Sequence, residues 1–376
     1  MIKIPYGRQF IDNKDILEVS KVLKGKLITT GNKTKEFEKK IKTIFKCKYS
    51  SVCNSGTSAL LLAFLSIGLK KNDIVIMPAI TFIASYNVAK FLGAKIYLAD
   101  VNSNTGQMSP KDILDCCEKF KIKKAKAIVN MYNGGYPENA QNFLNIKKKL
   151  KCFIIEDACH ALGAKYFHRG KKYYIGSCKH SDLCTFSLHP LKTITTGEGG
   201  IVTTNLKSLD NKIKSLRSHG IQKINLWFYN VYFNGLNLRL NDFQAALGIS
   251  QLRKMKQFIY KRKKIVEFYN KEFKDFNKCI IPKYNTLNDP SYHLYILIIK
   301  NFNLRKKNSF FKNMKKKGIF IQHHYIPIYK FKIFNGKKFS INSEIYFNKT
   351  ISLPIYYSLK KNELKFIVKN IKKYLN

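Results

Sequence analysis

The chain has 376 residues, 45% of them apolar, enough for one large domain and a smaller one, each with its own core. A formal net charge of +46 would suit a nucleic-acid or membrane-surface protein. The lysines, however, are dispersed in short runs such as NIKKKLK and NMKKKG, among the Asn, Ile, Tyr and Phe of an AT-rich coding sequence, so neither nucleic acid nor membrane is expected as a partner. The longest apolar stretch, SALLLAFLSIGL, falls short of the roughly 20 residues of a membrane span. The first ten residues carry no apolar signal core, and nine cysteines without a CxxC read as free thiols, not as disulfides or a zinc site. Together these features predict a cytosolic protein.

In chain order, DILEVSKVL and KTKEFEKKIKTIF have helical spacing. SSVCNS then reads as a strand and GTSALLLAFLSIGL as a helix. DIVIMP, AKIYLAD, KAIVNM, CFIIEDA, LCTFSL and GGIVTTN follow as short apolar strands, most of them alternating with helical segments. That alternation predicts a mostly parallel sheet covered by helices on both faces. Near residue 245 the texture changes. DFQAALGISQLRKMKQFIYKRKKIVEFYNKEF predicts one or two long helices, YHLYILII and GIFIQHHY predict strands, and KNELKFIVKNIKKYL predicts a closing helix. The expected organisation is an α/β domain over residues 1–245 and a smaller C-terminal α+β domain over 246–376, with no flexible linker between them.

Three stretches carry candidate chemistry. In NSGTSALLLAF a small-residue turn leads into a helix, whose free N–H groups and dipole suit a phosphate; a simple cap by Ser55 would explain the same residues. In FIIEDACHALGA an apolar strand ends at Glu156-Asp157, with His160 three residues beyond Asp157. Carboxylates at such strand ends lie in the usual ligand crevice, although a structural ion pair is equally compatible. No further ligand cluster accompanies Asp157 and His160, so no metal is expected. In LCTFSLHPLKTITTGEGG a loop leaves a strand end and carries Lys192, whose nearest charged neighbour is Glu198. Most lysines of this chain are solvated, and Lys192 alone would be read the same way. Together, a helix-start phosphate site, a strand-end aspartate and a loop lysine are the parts that hold pyridoxal phosphate.

The chain resembles the DegT-type sugar aminotransferases, which are fold-type-I pyridoxal-phosphate enzymes. NSGTSAL, EDACHALGA, FSLHPLKTITTGEGG, LRSHGI, LNLRLNDFQAALGISQL and QHHYIPIY match the family's motifs in the family's order, over essentially the whole chain. The resemblance implies that Lys192 is the Schiff-base lysine and proton carrier, that Asp157 pairs with the pyridine nitrogen, and that His160 lies near the ring. It implies that Phe82 stacks on the ring and that Gly56, Thr57, Ser58 and Ser187 hold the phosphate. Asn237 would reach the phosphate from the neighbouring subunit of a homodimer with shared sites. Tyr6, the stretch Lys26, Leu27, Ile28 and Thr29, and Gln322, His323, His324 and Tyr325 would line the sugar-nucleotide site. Within the family, RSHGI, HLYIL and QHHYIPIYKF are most similar to the pseudaminic acid branch, which moves an amino group from L-glutamate to C4 of a UDP-linked 4-keto-6-deoxy-N-acetylhexosamine. The alternatives are a perosamine-type enzyme acting on a GDP- or dTDP-sugar and a non-catalytic regulator on the same fold. Two features depart from the branch: the stretch MYNGGYPENAQ (131–141), and Leu238 where an aromatic is usual.

Overall fold

The computed structural model describes residues 3–338 and 340–376. Two amphipathic helices open the chain, α1 (Asn13–Leu23) and α2 (Asn32–Phe45). Strand β1 (Tyr49–Cys53) leads into α3 (Gly56–Ser66), which is apolar nearly all round and buried as such a helix must be. Strands β2 (Ile74–Pro78), β3 (Lys95–Ala99), β4 (Ala127–Met131) and β5 (Phe153–Asp157) follow, separated by helices. An eight-stranded sheet runs in the order β1, Gly200–Thr204, Leu183–Ser187, β5, β4, β2, β3 and a two-residue edge strand at Lys337–Lys338. Gly200–Thr204 is antiparallel to both its neighbours, and every other pairing is parallel. The predicted doubly covered parallel sheet is therefore the observed one. Its central strands are buried on both faces, as their continuous apolar runs require.

The helix Asp242–Phe273 is a single unbroken element of 32 residues, and position 245 falls in its first turn. Its first half packs Ala245, Ile249, Leu252, Met255 and Phe258 into the core behind the sheet. Its second half packs Ile265, Val266, Tyr269 and Phe273 into a second core with the C-terminal strands and helices. One rigid helix thus spans both cores. Ile4, near the start of the chain, is fully buried in the second core, bridged to Ile319.

The C-terminal sheet differs from expectation at one place. GIFIQHHY does alternate, with Ile319 and Ile321 buried and Phe320 partly exposed, but it forms no strand. It passes between two partners and touches each through one bridge, Ile319 with Ile4 and Gln322 with Ser352. The ladder is built by Thr350–Leu353 against Tyr295–Ile299 instead. Two hairpins, Lys165–His168 with Lys171–Tyr174 and Ile221–Lys223 with Tyr229–Val231, have no counterpart in the sequence reading.

Candidate active site

The C-terminal ends of β5 and of Leu183–Ser187, the start of α3 and the loop after Ser187 converge on one cavity of about 340 Å³. This is where ligands bind in open α/β sheets. Its lining includes Tyr6, Gly56, Thr57, Phe82, Asp157, His160, Ser187, Lys192, His324 and Tyr325, so most of the predicted residues meet in one place.

The anion end is built by α3. Ser55 Oγ accepts from Ser58 N–H at 3.0 Å and Ala59 N–H donates to Ser55 O, leaving the N–H groups of Gly56 and Thr57 at the dipole's positive end. A side chain at position 56 would put its Cβ 2.8 Å from Ser187 Cβ, so glycine is what lets the strand end approach the helix start. Ser55 is thus both the cap and a wall of the cavity, whereas Ser58 is buried in the cap and does not line the cavity.

Asp157 forms the floor. Its Oδ2 accepts from Ser85 Oγ at 2.8 Å and its Oδ1 from Cys159 N–H at 3.3 Å, and no cation pairs with it among the described residues. Lys192, held by a turn from its N–H to His189 O, has no carboxylate partner there either. Burial holds the Lys192 amine below the usual lysine value, against the opposing pull of Cys159 and Asp157. A carboxylate that lacks a cation and an amine that lacks an anion, facing one space with an anion-binding helix start, fit pyridoxal phosphate: pyridine nitrogen to Asp157, aldehyde to Lys192, phosphate to Gly56, Thr57 and Ser187.

His160 is fixed from both sides. Its Nδ1 accepts from Gly134 N–H at 3.3 Å, and its Nε2 lies 2.8 Å from Tyr325 Oη. With Nδ1 accepting, the neutral ring carries its proton on Nε2 and donates to Tyr325. Burial, then the charge of Lys192, keeps this imidazole neutral well below the usual histidine range. Phe82, half exposed at a helix start, stands with its ring 5.7 Å from that of Tyr325 at the cavity mouth.

Several sequence candidates lie elsewhere. Gln322 pairs with Ser352 through its main chain, and it is exposed and not part of the cavity lining. His323 turns inward, with Nε2 2.8 Å from Tyr325 O and Nδ1 3.0 Å from Lys307 Nζ, while the next two residues, His324 and Tyr325, both line the cavity. Lys26, Leu27, Ile28 and Thr29 are exposed outside the cavity, and Asn237 is exposed beside the Ile221–Val231 hairpin. The loop 131–141 reaches the cavity only through Met131. Its remainder clasps the segment before the strand Tyr295–Ile299, with Gly134 O and Gly135 O accepting from His293 and Ser291 N–H. Leu238 is turned into the core. Residues that the sequence reading missed are Ser85, Met131, Cys159, His189 and His293. His189 and His293 lay inside the quoted motifs SLHP and HLYIL, whereas nothing local marks Ser85.

Among the described residues no group of three or more His, Cys, Asp or Glu is arranged to hold a metal ion, and no helix is long and apolar enough to cross a membrane.

Comparison with known proteins identifies the family. The DegT/DnrJ/EryC1/StrS aminotransferase family model matches residues 9–372. A UDP-4-amino-4,6-dideoxy-N-acetyl-beta-L-altrosamine transaminase of Campylobacter jejuni is 37% identical over 371 residues, covering 97% of this chain and 95% of that one. The solved structure of Helicobacter pylori PseC, an aminotransferase involved in the biosynthesis of pseudoaminic acid, superposes with a TM-score of 0.92 at 29% identity, covering 100% of this chain and 99% of that one. The PLP-form of the sugar aminotransferase Spr1654 of Streptococcus pneumoniae superposes at 0.89 with 26% identity, covering 100% and 99%. With the lysine, the aspartate and the helix-start anion site all converging on one cavity, the chain belongs to the DegT/DnrJ/EryC1/StrS aminotransferase family.

Proposed function

We propose that this chain is a cytosolic pyridoxal-phosphate transaminase that moves the amino group of L-glutamate to C4 of a UDP-linked 4-keto-6-deoxy-N-acetylhexosamine, in the synthesis of pseudaminic acid. The observation that carries the chemistry is that Lys192 and Asp157, neither of them in an ion pair among the described residues, line one cavity. The likeness to the Campylobacter transaminase over nearly the whole chain supports the choice of sugar.

When bound, pyridoxal phosphate supplies an electron sink for the negative charge that develops at the donor's Cα. The protein does the rest. Asp157, held by Ser85 and the Cys159 N–H, keeps the pyridine nitrogen protonated. Lys192, whose buried amine gives up its proton more readily than an exposed lysine's, would carry the proton away from the donor's Cα in the first half of the cycle and return one to C4 of the sugar in the second. Gly56, Thr57 and Ser187 hold the phosphate. Tyr6 and His324, with ring centroids 5.6 Å apart, and Tyr325 offer flat walls and polar tips to the sugar nucleotide.

The working unit in this reading is a homodimer. The hairpin beside Asn237 carries Leu226 and Trp227 at 100% and 81% exposure, an apolar surface of the kind that partners cover. Seated on a second copy, it would bring Asn237 to the partner's phosphate site.

The test is direct. Purified enzyme is given glutamate with UDP-, dTDP- and GDP-linked 4-keto-6-deoxy sugars and a 3-keto isomer. 2-Oxoglutarate is measured, and the new amine is located by NMR. The expected result is amination of the UDP sugar at C4. Preference for the GDP sugar moves the chain to perosamine-type chemistry, and amination at C3 overturns the regiochemistry.

A further inference from the structure

His293 lines the cavity yet is only 6% exposed. Its ring lies 4.2 Å from that of His160, centroid to centroid. Its main chain is clamped on both sides: the N–H donates to Gly134 O at 2.9 Å, and the carbonyl accepts from Arg262 Nη1 at 3.2 Å. The side chain, by contrast, has an enclosed Nδ1 with no hydrogen-bond partner. A neutral imidazole has one N–H, and the tautomer that avoids enclosing an unpaired donor puts it on Nε2, the nitrogen left to face the cavity. Burial, and the positive groups around it, keep the ring neutral.

The neighbouring group has the same polarity. His160 donates to Tyr325 Oη, so the Tyr325 O–H is left to donate into the cavity. The carboxylate oxygens of Asp157 already accept from Ser85 and Cys159. Behind His293 stands Arg262, buried, with three main-chain carbonyls as hydrogen-bond acceptors: those of Tyr292, His293 and Ile355. This wall is therefore rich in donors and sits in a positive field. A sugar hydroxyl brings a donor of its own, which this wall would leave unmatched. A carboxylate brings only lone pairs and a negative charge.

We propose that His293 Nε2–H, beside the Tyr325 hydroxyl, binds a carboxylate of the amino-acid donor, making His293 a donor-binding residue of the first half-reaction. This inference rests on the transaminase reading above.

The test uses cofactor-loaded enzyme and measures the two half-reactions separately, by the change in cofactor absorbance with glutamate and by its reversal with the keto sugar. His293→Phe keeps the bulk and removes the donor. It is expected to raise the ratio of the half-saturating glutamate concentration to that of the sugar by about tenfold or more, the scale of one hydrogen bond to a charged group. His293→Gln restores an N–H and should recover most of the loss. Calorimetric binding of glutarate, a dicarboxylate that cannot react, should weaken in parallel. If His293→Phe does not fold, His293→Asn, which withdraws the N–H from reach, takes its place. An unchanged ratio, or a loss that falls on the sugar, overturns the assignment of His293. A wild-type enzyme whose absorbance ignores glutamate overturns the transaminase reading itself.

Discussion

Replacing Gly135 by alanine tests whether the 131–141 loop is the brace that holds His160. Gly135 has φ +83°, where a side chain costs on the order of 1–2 kcal/mol. Its new Cβ would also meet Ser291 Oγ and lie 2.5 Å from His160 O, two atoms joined by a 2.7 Å hydrogen bond. The carbonyl cannot swing away, because it belongs to the main chain that carries the His160 ring into the cavity. Losing that bond costs about 1 kcal/mol, and the forced displacement adds a similar amount or more. Alanine returns about 0.4–1 kcal/mol by stiffening the unfolded chain. The net expectation is a loss of about 2–4 kcal/mol. Gly170 is the matched control, with φ +74° and open space around its Cβ position, so Gly170→Ala bears the backbone strain alone, about 0–1.6 kcal/mol after the same offset. Urea midpoints of the two variants, measured without cofactor, separate the steric part from the strain. Gly135→Ala should also shift the His160 imidazole 15N resonances, while Gly170→Ala leaves them in place. Equal midpoints for the two variants would refute the brace.

Lys192→Ala should abolish turnover while retaining cofactor affinity through Gly56, Thr57, Ser187 and Asp157, as read by activity and by absorbance after gel filtration; near-normal transamination would sink the assignment. Mixing inactive Lys192→Ala with inactive Asn237→Ala chains should restore activity, because one hybrid site keeps both wild-type residues; mixed dimers that stay inactive would disprove the shared site. Buried Lys307, held down to about 7 from 10.5 by desolvation, binds fewer protons folded than unfolded between those values. Stability should therefore rise with pH across that window, and Lys307→Met should flatten the rise in pH-dependent urea melts while stabilising the protein at pH 7.

What the sequence made legible was whatever local pattern controls. The runs CFIIEDA and KAIVNM are apolar throughout because parallel strands are covered on both faces, and that pattern is readable without tertiary knowledge. Lys192, Asp157 and Gly56, which line one cavity, could be singled out because each lies in a contiguous motif. Ser85 was invisible because its role exists only across 72 positions of sequence, where α/β winding brings a helix start over a strand end. His323 and Gln322 were expected in the cavity because a run of polar residues gives no sign of which members face it; His323 is taken up by Lys307 and the Tyr325 carbonyl, and Gln322 is exposed outside the cavity lining. The strand predicted at GIFIQHHY had the right alternation, but pairing depends on a partner, and Thr350–Leu353 took that place.

The bridge between Ile4 and Ile319 bears on how the enzyme is made. Ile4 N–H donates to Gly318 O, Phe320 N–H to Ile4 O, and Ile355 N–H to Tyr6 O, so the first described residues are threaded into a core whose other members are synthesised much later. At ribosomal rates that is a delay on the order of tens of seconds, during which the sheet can form while Tyr6 has nowhere to dock. The cavity wall made by Tyr6, His324 and Tyr325 is therefore completed only after Ile355 has been made. A nascent chain that already holds Lys192 and Asp157 in place still lacks one side of its reaction chamber.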